Sequence, residues 1–132
     1  MMPIDRAKQA EQLAQIFFNL SDAVDKFRLG NNYGAISPAQ QQQFKIQAQA
    51  LATRGQQFTA DALGAILQDI QPHLQNIKQA TQDAQEALTH LNDVAKALTI
   101  VDSAVALVGA IVAGDVGSIG DNVQGLLTTI KG

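Results

Sequence analysis

Apolar residues recur along this chain at alternating steps of three and four, the spacing of a helical seam. The first seam runs through Ala10, Leu13, Phe17, Leu20, Val24 and Phe27, a heptad pattern that places all six on one helical face. Asp5 stands where an N-cap is expected and Gly30 where a terminating glycine is, so a helix is predicted over about 5–29. The stretch Asn31-Asn32-Tyr33-Gly34 reads as a loop.

A second helix is announced by Ser37-Pro38-Ala39-Gln40. The serine hydroxyl can cap the first turn, proline suits the first helical position, and the glutamine can return a bond to the cap. This helix is predicted over 38–54, stopping at Gly55, with Gln40–Gln43 as its solvated first turn. Thr59 then reads as a third N-cap, with Phe58 placed to staple onto Leu63.

From there a long seam passes through Leu63, Leu67, Ile70, Leu74, Ile77, Thr81, Ala84, Leu88, Leu91, Ala95 and Leu98. A step of three to Val101 leads on to Val105, Val108 and Val112. Unbroken, one register over residues 60–113 would measure roughly 80 Å. Pro72 removes the bond to the Gln68 carbonyl, so a helix over 59–96 kinked near Pro72 is predicted, with His90–Asp93 as a second place to break. Further helices are predicted over 97–113 and 116–130, separated by a turn at Gly114 and an N-cap at Asp115. No segment shows the period-2 alternation of a strand. The expectation is therefore a single all-α domain, an elongated bundle of four or five amphipathic helices. The 5–29 and 63–98 seams are expected to pack antiparallel.

The most unusual passage is Ala104–Gly120, AVALVGAIVAGDVGSIG, which overlaps an uncharged run from Ser103 to Gly114 and then turns rich in glycine. On a helical wheel, Val101, Val105, Val108 and Val112 form one bulky stripe, with Ile100, Ala104, Leu107 and Ile111 beside it. Together they exceed the ~100° arc of an ordinary surface helix. The remaining strip is small: Asp102, Ala106, Gly109 and Ala113, a face that lets another backbone come close. The uncharged run spans roughly 18 Å against a hydrocarbon core of about 30 Å, and extending it brings Asp102 inside. A constitutive transmembrane span is not expected. Asp102, Val105, Ala106, Leu107, Val108, Gly109, Ile111, Val112 and Ala113 are the candidate interaction or membrane surface, with Asp102 at the solvent rim. The alternative is conditional exposure of residues 97–130 to lipid. Soluble α-helical pore-forming proteins similarly keep an apolar segment between long amphipathic helices, a likeness of architecture alone.

Composition narrows the classes of function. The net charge of −3 is unevenly placed: residues 1–60 hold six Lys/Arg against four Asp/Glu, residues 61–132 three against eight. The acidic second half argues against nucleic acid, whose phosphates demand a basic surface. Cysteine is absent, which excludes disulfides and thiolate chemistry. MMPIDRAKQAEQ lacks the apolar core of a signal peptide, so a soluble protein is expected, cytoplasmic or exported by a signal-independent route.

Catalytic candidates are sparse. Glu86, His90 and Asp93 could share a helical face and bind a metal, yet their spacing is not the Glu-x-x-His of di-iron bundles, and solvent-facing pairs explain them as well. The glycines at 109, 114, 117 and 120 match no phosphate-binding loop. No cofactor, metal or small-molecule substrate is expected. The chain reads as a non-enzymatic interaction protein that binds a protein partner or self-associates, with lipid binding as the alternative.

Overall fold

The computed structural model describes residues 6–30, 33–58, 64, 66–91 and 93–131. The chain forms an all-α bundle of five helices: α1 (Arg6–Leu29), α2 (Pro38–Gln56), α3 (Ile66–His90), α4 (Val94–Ala113) and α5 (Val116–Lys131). A short 3-10 turn, Tyr33–Ala35, links the first two.

The helices run alternately up and down, but their order in space is not their order in sequence. The main contacts join α1 to α2, α2 to α4, α4 to α5, α5 to α3 and α3 back to α1, a closed ring. Antiparallel α1 and α2 are tied at three levels along their length. Gln41 Nε2 donates to the Arg28 carbonyl at 2.6 Å, and the buried Ser21 hydroxyl donates to the Ala48 carbonyl at 2.7 Å. At the third level a Cβ on Gly55 would stand 3.0 Å from Phe18 Cε1 and 3.4 Å from the Ala14 carbonyl. A side chain at residue 55 would push the Phe18 ring away.

The first seam is buried as its spacing predicts: Leu13, Phe17 and Val24 are fully enclosed, with Ala10, Leu20 and Phe27 nearly so. Phe27 meets Phe44 in a tilted pair at 5.4 Å, and Phe58 meets Phe17 edge to face at 5.7 Å. The Ser37 capping box forms as read, with Gln40 N donating to Ser37 Oγ and Ser37 N to Gln40 Oε1. The proposed caps at Asp5 and Thr59, and the Phe58–Leu63 staple, involve residues outside the described set.

Two expectations are corrected. First, α1 and α3 run parallel, not antiparallel. The grooves between them align Gln12 and Ile16 with Leu74 and Gln75, then Lys26 and Phe27 with Leu88 and Leu91. The chain descends through α2 before α3 begins, so α3 rises from the end where α1 started. Pro72 lies inside α3, exposed, where it removes the bond to the Gln68 carbonyl and no core contact. Second, the 59–96 helix ends at His90, and the next starts at Val94, not at 97. Asp93 supplies the start: its backbone is extended and its side chain accepts from Lys96 N at 3.1 Å. The break resets the register. Ile70, Ile77, Thr81, Ala84 and Leu88 are buried, whereas Ala95, next but one on the predicted seam, is exposed.

Candidate functional site

Helix α4 is the most apolar element, and its inner face forms the centre of the bundle. Ala97, Ile100, Val101, Ala104, Leu107, Val108 and Ile111 are buried. It ends at Gly114, whose φ of 75° is left-handed and whose N–H reaches the Ala110 and Ile111 carbonyls. The chain then reverses into α5. Asp115 accepts from Ser118 N at 3.3 Å and from the Ser118 hydroxyl at 2.7 Å, and Ile119, Val123 and Leu126 bury the inner face of α5. Across the hairpin the Ser103 and Thr129 hydroxyls meet at 3.3 Å.

The nine candidate surface residues divide into three groups. Leu107, Val108 and Ile111 are fully buried and belong to the core, not to a free surface. Val105 and Val112 are half-buried along one edge. Asp102, Ala106 and Ala113 are exposed, with the partly exposed Gly109 between them. With Ala95 and Thr99, they make an outward face at steps of four, three, four, three and four. A Cβ added at Gly109 would meet nothing within 4 Å. Among the described residues no backbone therefore closes on the strip at Gly109. Sequence spacing placed the strip correctly. It could not show which stripe faces inward, because both bulky stripes and the small one are free of charge apart from Asp102.

Asp102 lies toward α2, where Gln47 Nε2 donates to its Oδ1. Partial burial, by stripping water from the carboxylate, pushes the Asp102 pKa above the ordinary carboxylate range. Among the described residues Gln47 Oε1 is buried and accepts no hydrogen bond. Gln47 could not be found from sequence, since it sits in a helix rich in glutamine and gains meaning only from the α2–α4 contact.

The polar clusters offer less. Asp93 caps α4, so it does not continue the α3 face that carries Glu86 and His90. Among the described residues no three His, Asp or Glu side chains converge on a metal position. His73 rests against α5, where a Cβ on Gly120 would stand 3.8 Å from its Cε1. Thr81 and Ser21 are the buried polar side chains among the described residues, and both donate to backbone carbonyls. A groove of about 430 Å³ between α1 and α3 is walled by Gln12, Gln15, Asn19, Gln75, Gln82 and Gln85 over Ile16 and Leu74, with Lys78 and Thr81 also at its wall. No family model, curated protein or solved structure matches the chain.

Proposed function

We propose that this protein is a non-enzymatic helical interaction module. The outward face of α4 packs against a helix of a partner protein or, in the simplest case, of a second copy. One observation carries the reading: the most apolar helix lies at the bundle surface with a face of Ala, Thr, Gly and one Asp that is exposed among the described residues and open at Gly109. Faces of small residues allow helix axes to approach closely and gain dispersion contacts along their length. The half-buried Leu98, Val105 and Val112 border this face and would be covered with it. The buried Ser21 and Thr81 hydroxyls are held by backbone carbonyls, as structural rather than reactive groups are.

A second reading has its own support. Among the described residues one helix, α4, is long and apolar enough to cross a membrane by length and composition, and 39% of its most apolar window is buried. On that reading residues 97–130 leave the bundle for lipid.

Gly109→Leu separates the two. The position is open, so the bundle accommodates the side chain and gains helix propensity, up to ~1 kcal/mol relative to glycine. A leucine there blocks close helix approach but adds apolar surface for lipid. Helix packing predicts self-association that weakens tenfold or more in analytical ultracentrifugation, with unchanged binding to liposomes. Stronger liposome binding with unaltered sedimentation would instead establish the lipid reading. A wild-type protein that stays monomeric at high concentration removes self-association.

A further inference from the structure

The contact between Asp102 and Gln47 joins the apolar helix to α2 through one donor and leaves one buried acceptor, Gln47 Oε1, without a bond. A carboxylate cannot supply that acceptor, because both of its oxygens are acceptors themselves. A carboxylic acid can. We propose that Asp102 and Gln47 form a proton-controlled latch, in which a proton taken from solvent onto Asp102 Oδ2 is donated to Gln47 Oε1. Gln47 Nε2 continues to donate to Oδ1. The neutral pair then has two parallel bonds, each donor matched to an acceptor, where the charged pair has one bond and leaves Gln47 Oε1 without a donor.

The surroundings favour the neutral form. The ion pairs found among the described residues, Asp22–Lys26 and Asp25–Arg28, lie within α1. The charged groups on the elements packed against α4 are Lys45 and Arg54 of α2, both exposed, and Asp121 and Lys131 of α5, also exposed. Lys131 stands two residues beyond Thr129, at the level of Ser103. On α3 they are Asp69, His73, Lys78, Asp83, Glu86 and His90, with Asp69, Lys78, Glu86 and His90 exposed. On α4 itself, Asp93 caps the first turn and Lys96 lies six residues before Asp102. The Asp102 carboxylate is instead held in a partly dewatered position that raises its proton affinity.

The latch couples protonation to the proposed surface, since Asp102 is the one charged residue on the outward strip from Ala95 to Ala113. Acid both fastens α4 to α2 and strips the face of charge. That consequence rests on the interaction reading above; the latch itself is tested without it, on the unfolding of the dilute protein.

The test is a double-mutant cycle of Asp102→Ala and Gln47→Ala. It is read by thermal unfolding at pH 8 and again below the pH at which the Asp102 carboxyl carbon titrates by NMR. The latch predicts coupling that grows on protonation, by about 3 °C in the melting midpoint. Asp102→Asn, which presents one donor and one acceptor at every pH, should couple to Gln47 equally at both pH values and at the acid level. Coupling that is equal at the two pH values, or larger at pH 8, is what a simple carboxylate–amide bond gives, and overturns the proposal. So does an Asp102→Asn protein that couples to Gln47 no better than wild type at pH 8.

Discussion

Helices α3 and α4 follow one another in the chain, have similar lengths and both line the core, yet they meet water in opposite ways. The outer face of α3 carries Asp69, Gln71, Gln75, Lys78, Gln79, Gln82, Glu86 and Thr89, the polar surface of an ordinary amphipathic helix. The outer face of α4 carries Ala95, Thr99, Asp102, Ala106, Gly109 and Ala113. Burial of the inner face explains α3 fully. It explains half of α4: the inner residues make the core, while the outer residues are small and carry one charge, that of Asp102. A face with a single carboxylate and otherwise small residues, on one helix of a ring whose neighbouring faces are polar, is where we propose that a partner packs.

The sharpest way to break this comparison is to perturb the two faces of α4 side by side. Leu107 is fully enclosed, so Leu107→Ala should destabilise the protein by about 2–5 kcal/mol through lost burial and a residual cavity. Ala106→Ser, one residue away on the outer face, should change stability by less than about 0.5 kcal/mol. Urea unfolding measures both. Equal costs would mean that the outer face is internal after all.

Two glycines on the same helix refine the picture. Gly114 needs its left-handed backbone, whereas Gly109 is helical and open. Gly114→Ala should therefore lower stability by about 1 kcal/mol, and Gly109→Ala should raise it by up to ~1 kcal/mol. Paired thermal melts would show opposite shifts. A loss at Gly109 would imply that the wild-type bundle already packs something closely against it.

Asp102 supplies the smallest effect. Its pKa in the folded protein lies above the unfolded value, so the folded state binds the proton more tightly. The resulting stabilisation is complete below the ordinary carboxylate range and is lost as pH rises through the raised folded value. Relative to Asp102→Asn, the wild type should lose stability across that window and run parallel on either side. Melting midpoints against pH would reveal it, and a constant offset would remove the shift.

Much of the bundle was legible because local chemistry and tertiary packing agree. The Ser37-Pro38-Gln40 start, the Gly114 stop and the Ala10–Phe27 seam all depend on residues within a few turns of one another. The order of the helices around the ring was not legible, since a seam records which face is buried and not which neighbour buries it. The spacing from Leu88 to Leu98 runs on without a fault, yet α3 ends at His90 and α4 starts at Val94, at the second place the sequence offers for a break. Asp93 could be read as a third ligand on a long helix, and it was the α4 cap. On α4 the apolar stripes are so broad that periodicity identified the small strip without deciding which way it faces. Packing decided that, and it also brought Gln47 to Asp102.

The most direct test of the α4 surface uses the absence of cysteine from the chain, which allows single cysteines to be placed without background. Ala106→Cys and Ala113→Cys on α4 should form disulfide-linked dimers under mild oxidation at concentrations where the protein self-associates. Gln75→Cys and Gln82→Cys on α3, equally exposed, should remain monomeric. Cross-linking as efficient from α3 as from α4, or from neither helix, would contradict the account.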